Sequence, residues 1–407
     1  MSARSHDIVI VGGGIVGAAA ALALLRNGFD VALVDRAATR PPAPGAEVDA
    51  RVYAIAPGSR RFLDTLGAWP GDPACAYQGM QVWNADPALS LRFDAAAAAL
   101  PELGYIVAHD VLLDALWNRL GAARLVQGET VDSFTVEAGG AHLGLSGGGH
   151  IRADLVIAAD GAGSSLRRLA GIETLGWPYA HQAIVSHVQT ERPHRATAYQ
   201  RFLPDGPLAF LPLADGRSSI VWSTTRAGER MALPDAGFAK ALHQASQDCL
   251  GLIGEMTPRK AVPLRLLHAR DYHAPGLALV GDAAHVVHPL AGQGLNLGLA
   301  DVEALLGCAL EARRAGRKLG SARVLARYGR ARKLANLEML ATVDALSIAC
   351  SVCRRRDSTM CAVWGSPWST VWLRSRALCC AAPSESEHSS ALVCSWWLTV
   401  PLSARYN

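Results

Sequence analysis

Residues 7–35, DIVIVGGGIVGAAAALALLRNGFDVALVD, decide the fold. The β-branched run at 8–11 is typical of a strand buried on both faces of a parallel sheet. Gly12, Gly14 and Gly17 follow in the spacing G-x-G-x-x-G and open an Ala/Leu-rich helix, after which a second apolar strand ends at Asp35. This order of strand, glycine turn, helix and strand predicts a dinucleotide-binding βαβ unit.

Each part of the unit has a physical task. Gly12 forms the tight turn, Gly14 lets the backbone approach a pyrophosphate, and Gly17 lets the helix pack closely on the strand. The helix start offers unpaired N–H groups and a positive dipole end to phosphate oxygens. Asp35 stands where a carboxylate can accept a hydrogen bond from a ribose hydroxyl.

Two other interpretations of this stretch compete. Residues 8–25 carry no charge, and that length makes a membrane span a candidate. The three consecutive glycines and the placed acid favour the βαβ unit instead. A secretory signal fits poorly, because Arg4 and Asp7 flank a run that continues into strand-like sequence.

Composition limits the classes of protein. The chain has 407 residues, 50% hydrophobic and 18% charged, with a formal charge of +4, which indicates a globular protein and gives no basis for nucleic-acid binding. Six of the nine cysteines lie from Cys350 onward, so residues 1–345 are typical of a reduced, cytoplasmic protein.

Two further sequence motifs each follow directly after a predicted strand. A buried strand at 155–159 runs into Asp160-Gly161, a second place where backbone meets phosphate. Residues 281–298, GDAAHVVHPLAGQGLNLG, follow a strand at 277–280 and open a helix whose predicted core face is Leu295, Leu299, Val302, Leu306 and Leu310. His285 and His288 lack a nearby ligand set, so local hydrogen bonding is favoured over a metal site, and no metal is expected.

The pattern changes between about 180 and 225. Short alternating runs separated by Asp205-Gly206 and Asp215-Gly216 predict antiparallel strands at 183–189, 197–202, 208–212 and 218–223. The fold class expected is α/β, a Rossmann-like domain with an inserted antiparallel sheet. We assign 5–80, 100–178 and 270–345 to the first domain, and 81–99 and 179–269 to the second.

Together these blocks resemble the single-component FAD-dependent aromatic hydroxylases. The segments DARVYAI at 49–55, LGAW at 66–69 and the whole of 281–298 are most similar to the ubiquinone-biosynthesis hydroxylases of the UbiH/UbiF/VisC type. The resemblance covers roughly residues 5–345. One departure is visible: relatives commonly have Gly-Tyr-Ile-Val-Glu-Asn where this chain has GYIVAH at 104–109, with Ala108 in place of a carboxylate.

The resemblance implies roles for individual residues. The three glycines hold the FAD pyrophosphate, Asp35 the adenosine ribose, and Asp282 the ribityl–pyrophosphate region. His288 and Pro289 are implied to lie beside the isoalloxazine as the catalytic pair, although no general base is assigned. The other implied cofactor-binding residues are Arg36, Arg51, Asp160, Gly161, Gly281, Gly292, Gln293, Gly294, Leu295 and Asn296. Tyr199, Phe210 and Trp222 are candidates to line the substrate pocket, and ordinary sheet core is the competing interpretation.

The implied activity is hydroxylation of the aromatic ring of a polyprenyl phenol or benzoquinol in ubiquinone biosynthesis, through a flavin C4a-hydroperoxide. NADH or NADPH and O2 are the implied co-substrates, and no second nucleotide fold is visible for the reductant. The expected partners are the lipid-soluble substrate, and other ubiquinone-biosynthesis proteins or a second copy of the chain. The expected location is cytoplasmic, peripheral at the inner face of the membrane. The alternatives are a flavin dehydrogenase or oxidase, and a non-enzymatic NAD-binding sensor.

The tail at 346–407 does not fit this pattern. It is rich in cysteine and tryptophan, and its helical periodicity fades from about residue 347. A frameshift in a GC-rich gene is the favoured hypothesis, and a poorly active family member would be its result. A Cys-rich metal segment and a membrane-contacting tail are the alternatives.

Overall fold

The computed structural model describes residues 4–37, 49–84, 90–121, 125–287 and 292–352, with side chains described as far as residue 337. The elements before residue 122 are β1 (Arg4–Val11), α1 (Ile15–Arg26), β2 (Val31–Asp35), β3 (Val52–Ile55), α2 (Pro57–Thr65), β4 (Cys75–Tyr77), β5 (Gly79–Trp83), β6 (Leu91–Asp94), β7 (Gly104–Ala108) and α3 (His109–Leu120).

The elements from 125 to 246 are β8 (Leu125–Gln127), β9 (Val131–Glu137), β10 (Gly140–Leu145), β11 (His150–Ala158), α4 (Ser165–Leu169), β12 (Thr174–Leu175), β13 (Pro178–Thr190), β14 (Thr197–Leu203), β15 (Gly206–Pro212), β16 (Ser218–Thr224), α5 (Ala227–Met231) and α6 (Asp235–Ser246).

The remaining elements are β17 (Ile253–Met256), β18 (Lys260–Arg265), β19 (Leu267–Ala269), β20 (His273–Ala274), β21 (Leu277–Leu279), a 3₁₀ turn (Gly281–Ala283), β22 (His285–Val286), α7 (Gly294–Arg314) and α8 (Ala322–Val352).

The first sheet is built around the N-terminal strand. Its order is β20-β21-β11-β1-β2-β8, with parallel pairing from β21 to β8 and the β9–β10 hairpin added on β11. Residues 8–11 are at most 6% exposed, because α1, packed between α3 and α7, helps to bury the sheet. The predicted Rossmann-like unit is confirmed, and the membrane-span interpretation is wrong since residues 8–25 divide into strand, turn and helix.

The second sheet is the predicted antiparallel one. Its order is β17-β13-β16-β15-β14-β5-β6, with β18 also paired to β13 and one parallel pair, β14–β5. Helix α6 packs on one face through Phe238 and Leu242. The four predicted strands are all present, and the α/β fold class is confirmed; the exact domain ranges remain a prediction.

Two small sheets connect these layers, β3-β7-β4 and β12-β19-β22. Within the described part of the chain, none of the helices is both long and apolar enough to cross a membrane. Of the tail at 346–407, residues 346–352 form the end of α8. Residues 353–407, with the hypotheses made for them, lie outside the described residues.

Helix α7 departs from its predicted core face in the second half. Leu295, Leu299 and Val302 are buried as expected, but Leu306 and Leu310 are only partly buried. The buried positions there are instead Leu305, Cys308, Ala309 and Ala312. This difference follows from the neighbours of the helix, because α8 packs beside it and covers the adjacent side.

Candidate cofactor site

Three loops meet at the carboxyl ends of adjacent parallel strands. Strand β1 pairs with β11, and β11 pairs with β21, so that Val11 lies opposite Ala158 and Ala158 opposite Leu279. The loops that follow these strands carry Gly12, Asp160 and Gly281. Ligands of open α/β sheets bind at this edge. The structure therefore brings together the three blocks that the sequence separates by more than a hundred residues each.

The glycines of the first loop divide into packed and open positions. A Cβ on Gly12 or Gly17 would overlap backbone oxygen, of Ala159 and of Gly12 respectively. A Cβ on Gly14 would meet nothing within 4 Å, and the same holds for Gly161. The packed glycines allow the turn to form, whereas the open ones leave backbone accessible to a ligand.

Two helices begin at this edge without a side-chain cap. Gly14 is the N-cap of α1 and Gln293 that of α7, and neither makes a side-chain capping bond. The first turn of each helix also lacks an acidic residue. Their N–H groups and positive dipole ends therefore remain suited to anionic or electron-rich ligand atoms.

The two carboxylate oxygens of Asp160 have different surroundings. Its Oδ2 accepts from the backbone N–H of Ser165 at 2.7 Å and from the Ser165 hydroxyl at 3.1 Å, at the start of α4. Its Oδ1 is buried and has no hydrogen-bond partner within the described structure. Such an oxygen is costly unless a further donor satisfies it, which suits a residue that meets a polar ligand.

Asp35 lies at the end of β2 and is only 4% exposed. Its Oδ1 accepts from the backbone N–H of Ala37 at 3.0 Å. Its carboxylate also lies against Gly13 of the first glycine loop, where a Cβ would collide with it. The structure thus places Asp35 beside the glycine turn, as the βαβ prediction expects, while Arg36 is exposed.

A buried carboxylate on α7 holds the Gly281 loop. Asp301 is 0% exposed, and its Oδ2 accepts from the N–H of Gly281 at 3.0 Å and from Nε2 of His285 at 2.6 Å. Gly281 itself has φ +58°, a conformation that favours glycine. Asp282 lies between these two residues, so Asp301 holds the backbone on one side of it and the His285 side chain on the other. Local hydrogen bonding of His285 is confirmed.

The same carboxylate also binds α8. Arg332 donates through Nε to Oδ1 of Asp301 at 2.7 Å, and Asn336 donates to that oxygen at 3.3 Å. Asn336 donates further to the hydroxyl of Tyr272 at 3.1 Å. Burial alone would raise the pKa of Asp301, but the charges and hydrogen bonds of His285 and Arg332 outweigh it and hold the pKa below its usual value.

Asn296 joins the start of α7 to β3. Its Nδ2 donates to the carbonyl of Ala54 at 2.8 Å, and its Oδ1 accepts from the N–H of Ala56 at 2.9 Å. Nδ2 also lies 3.2 Å from Oε1 of Gln293. Gly292 lies against Ala54, where a Cβ would come within 3.0 Å of the alanine methyl. The side chain of Asn296 is therefore a brace that fixes the loop at 292–294 against β3.

Charged groups from the segment just before β3 and from the start of α3 form a cluster. Arg51 donates from Nε and Nη2 to both carboxylate oxygens of Asp49, at 2.5 to 2.9 Å. Its Nη2 also lies 3.3 Å from Nε2 of His109, whose Nδ1 is 3.0 Å from the hydroxyl of Tyr53. Partial burial alone would raise the pKa of Asp49, but the hydrogen bonds and charge of Arg51 lower it to about 2.

Asp49, His109 and Asp110 have potential metal-ligand atoms within 4.8 Å of one another. Arg51 already supplies a fixed cation to this cluster through Asp49. A guanidinium in contact with a ligand carboxylate opposes the binding of a metal ion there. The cluster is thus better suited to hold Arg51 in place than to hold a metal.

Asp282 lies in the 3₁₀ turn that follows β21, at the sheet edge where the three loops meet, which we call the cofactor cleft. Its side chain is exposed, but enough protein surrounds it that lost hydration raises the pKa of its carboxyl. The positive charges of His285, Arg265 and Arg51 oppose this rise. Asp282 is therefore close enough to Arg51 and Tyr53 for their charges to interact.

The candidate substrate aromatics lie on the other side of the second sheet from this cleft. Trp222 is 0% and Phe210 2% exposed, and both pack in the cluster that Phe238 of α6 covers; Tyr199 packs against the same cluster. Their assignment to the substrate pocket is corrected for Phe210 and Trp222, because α6 fills the space in front of them. The competing interpretation, sheet core, describes these two residues.

The opposite face of that sheet is directed to the first domain. His187 of β13 is 5% exposed, and its Nε2 lies 3.1 Å from the carbonyl oxygen of Ala50, next to Arg51. A carbonyl only accepts, so Nε2 donates. Val221 of β16, between Ile220 and Trp222, also belongs to this face since side chains alternate along a strand.

Among the remaining predicted residues, Leu295 is 8% exposed in the first turn of α7, and Gly294 begins that helix. The predicted catalytic pair, His288 and Pro289, lies outside the described residues. Sequence analysis missed Tyr53 and Asp301. An acid within the apolar face of α7 is a signal for Asp301, since a buried carboxylate requires partners; Tyr53 had no local signal.

These residues fit an FAD. Two uncapped helix starts, open glycine backbone and an orphaned Asp160 oxygen converge where a nucleotide with a polar chain and a pyrophosphate would lie. The fold and the site together define a flavin-binding α/β protein.

The chain belongs to the FAD-binding domain family, whose model matches residues 5–341. It is 40% identical over 352 residues to the 3-demethoxyubiquinol 3-hydroxylase of Escherichia coli K12, covering 84% of this chain and 90% of that protein. It is also 40% identical over 350 residues to the ubiquinone hydroxylase UbiL of Rhodospirillum rubrum, covering 84% and 80%. The human mitochondrial ubiquinone biosynthesis monooxygenase COQ6 is 33% identical over 402 residues, covering 84% of each chain. The resemblance given by the sequence is thereby confirmed.

Among solved structures, PqsL of Pseudomonas aeruginosa, a probable FAD-dependent monooxygenase, superposes with a TM-score of 0.72 at 23% identity, covering 86% of this chain and 97% of that one. The p-nitrophenol 4-monooxygenase PnpA of Pseudomonas putida gives a TM-score of 0.72 at 18% identity and covers 97% of both chains. At these identities the likeness concerns the fold alone.

Proposed function

We propose that this chain is an FAD-dependent monooxygenase that hydroxylates the aromatic ring of a polyprenyl phenol or benzoquinol intermediate in ubiquinone biosynthesis. The observation that carries the proposal is the meeting of the α1 start, the Asp160 loop and the Asp282–α7 segment at one sheet edge. Relatives named as ubiquinol and ubiquinone hydroxylases, at 40% identity over most of both chains, support this choice of reaction.

Bound FAD would supply the redox chemistry, taking electrons from NADH or NADPH and activating O2 for insertion of one oxygen atom. The chain's own residues hold the cofactor. The backbone at Gly14 and the α1 start would bind the pyrophosphate, and Asp35 would accept from the adenosine ribose. Asp282, anchored on both sides by Asp301, would accept from the ribityl hydroxyls.

The start of α7 would stabilise negative charge on the pyrimidine edge of the flavin. Its N–H groups at 294–295 carry no side-chain cap, and the Asn296 brace fixes their position. An interaction with a helix terminus contributes roughly 0.3–1 kcal/mol when exposed and about 2 kcal/mol when partly buried. The larger value corresponds to about 1.5 pKa units in a bound ionisable group.

The substrate ring would lie between the cofactor cleft and the open face of the second sheet. Val221 and Val185 of this face are adjacent across the β13–β16 pair, and His187 fastens the same face to the loop that carries Arg51. Apolar side chains here would exclude water from the reacting atoms, which limits loss of reducing equivalents as H2O2.

The test is a labelling experiment on the purified holoprotein. We expect bound flavin absorbance, NAD(P)H oxidation stimulated by a short-chain prenyl phenol, and one ¹⁸O atom from ¹⁸O2 in the product. A flavin dehydrogenase or oxidase would transform substrate without incorporating the label, and an NAD-binding sensor would show neither flavin nor turnover. Either result would refute the proposal.

The proposed substrate face is tested by Val221→Phe. The larger ring should raise KM for the phenol severalfold and leave the FAD dissociation constant unchanged, because Val221 lies on the sheet and not on the nucleotide loops. Val136→Phe is the matched control: Val136 is 43% exposed on β9, in the other sheet. Equal KM values for both variants would contradict the assignment of this face.

We also propose peripheral membrane contact, because a polyprenyl substrate resides in lipid. Leu175 and Trp177 are each 53% exposed beside the start of β13, where Pro178 pairs with Arg265, one of the charges that act on Asp282. An exposed aromatic next to a basic residue suits a lipid interface. Trp177→Ser should reduce cosedimentation with anionic vesicles, and Leu252→Ser, at a 63% exposed site, should not; equal losses would contradict this surface.

A further inference from the structure

Tyr53 contacts the charged cluster of Asp49, Arg51 and His109 through its hydroxyl, which lies 3.0 Å from Nδ1 of His109. It lies on β3, opposite Val107 of β7, and His109 follows that strand at the start of α3. The Tyr53 and His109 rings are 5.8 Å apart at an angle of 46°. Neither residue belongs to the functional set that the sequence predicts, and Tyr53 also packs against the hydrophobic core of the first domain.

The proton positions in this pair follow from Arg51. A guanidinium only donates hydrogen bonds, so with Arg51 Nη2 at 3.3 Å the Nε2 atom of His109 acts as the acceptor. A neutral imidazole with an accepting Nε2 carries its proton on Nδ1. His109 therefore donates from Nδ1 to the hydroxyl oxygen of Tyr53, 3.0 Å away. The hydroxyl proton of Tyr53 is then directed to another acceptor.

Strand β3, which carries Tyr53, is tied to the start of α7, and the hydroxyl of Tyr53 keeps its proton. Burial raises the pKa of Tyr53 to about 12, and the negative charge of Asp282 contributes to the rise. The next residue on β3, Ala54, is fastened to the α7 start by Asn296. Tyr53 thus remains protonated at neutral pH and is held at a fixed place beside the segment that binds the ribityl chain.

We propose that Tyr53 donates a hydrogen bond to the ribityl–pyrophosphate portion of bound FAD, oriented for this by the relay Asp49–Arg51–His109. This inference rests on the proposed function, because it requires a flavin in the cleft. His109, at the start of α3, is then an imidazole that aligns a tyrosine donor.

The first experiment measures FAD binding to the apoprotein by quenching of flavin fluorescence. Tyr53→Phe keeps the ring and removes the donor, and should raise the FAD dissociation constant about five- to tenfold, as expected for one lost hydrogen bond. Tyr77→Phe is the matched control, because Tyr77 lies on β4 of the same small sheet, packed in a separate apolar cluster. Its dissociation constant should equal that of the unmodified protein.

The second experiment tests whether His109 acts through Tyr53. His109→Leu should weaken FAD binding in the unmodified background and have little further effect in the Tyr53→Phe background. His109→Gln, which keeps an N–H donor, should restore most of the affinity. A purely structural role for His109, or an effect through Arg51 alone, would persist in both backgrounds. Urea midpoints of the apoproteins identify any variant that is merely misfolded.

The outcomes separate the two proposals. If the unmodified protein binds no FAD, the proposed function fails. If it binds FAD and Tyr53→Phe binds within twofold of it, or the two substitutions are additive, the donor relay is refuted while the proposed function stands.

Discussion

Replacing Asp301 by asparagine removes one negative charge from a site where every neighbour depends on it. The carboxylate is 0% exposed and accepts from Gly281, His285, Arg332 and Asn336. An asparagine keeps the shape but has one accepting oxygen and turns an N–H₂ towards a donor. Arg332, whose side chain is 8% exposed, would then be a buried cation without its counter-ion.

Removing one partner from a buried ion pair costs about 3–5 kcal/mol. Whole domains are stable by only about 5–15 kcal/mol, so Asp301→Asn should lose a large part of the stability of the FAD domain. The assay is urea unfolding of the apoprotein followed by far-UV circular dichroism. FAD affinity should also fall, because Gly281 loses the acceptor that fixes the loop on one side of Asp282.

Asp235→Asn is the matched control. Asp235 also pairs with an arginine, Arg259 at 3.0 Å, but its side chain is 76% exposed, and such pairs contribute about 0–1 kcal/mol. If Asp301→Asn unfolds within about 1 kcal/mol of the unmodified protein, as expected only for the exposed pair, the network does not hold the Gly281 loop and the reasoning is wrong.

Three further predictions follow from the same geometry. Gly14→Ala should change apoprotein stability by less than about 1 kcal/mol but weaken FAD binding at least tenfold. Gly17→Ala should instead prevent folding of the turn, because its Cβ would overlap the Gly12 oxygen. If the two variants have equal effects on urea unfolding and on FAD titration, this distinction between the two glycines is contradicted. An aspartate at position 294 has room for its side chain and suits a helix start, so Gly294→Asp should leave apoprotein stability unchanged or raise it. The same variant should bind FAD more weakly. Gly294→Asn, tested in the same titration, should bind FAD more tightly than Gly294→Asp. Burial and neighbouring positive charge lower the pKa of His268 to about 4, so below pH 6.5 the unfolded chain binds a proton that the folded chain does not. The stability that this group contributes is therefore lost as the pH falls from 6.5 to 4, by about 3 kcal/mol in total. Urea midpoints of His268→Leu should fall less steeply over that range than those of the unmodified protein.

The sequence predicts the elements of this protein better than their contacts. The βαβ unit, the four antiparallel strands and α7 are confirmed because each depends on local patterning that burial reinforces. The core face of α7 was predicted less well: its second half turns towards Leu305 and Ala309, since α8 is the neighbour there and periodicity alone does not identify a neighbour.

Side-chain roles were harder to predict where they depend on which face of a strand meets which layer. Phe210 and Trp222 share a face with Tyr199, but only the placement of α6 shows that this face is core. The Asp301 network joins residues from α7, α8 and the Gly281 loop, and Tyr53 meets His109 across two strands. No spacing in one segment indicates such partners, because each lies far away in the chain.

The Asn296 brace has a consequence for biosynthesis. Its two hydrogen bonds join residues that are 240 and 242 positions apart in the chain. At about 5–20 residues per second, the ribosome needs roughly 12 to 48 s to synthesise that stretch. Strand β11 ends at Ala158 and its partner β21 begins at Leu277, so for roughly the second half of that interval β11 presents an unpaired edge to other chains. We therefore expect newly made protein to need protection from aggregation until its last third has emerged, and FAD to be acquired only after synthesis is nearly complete.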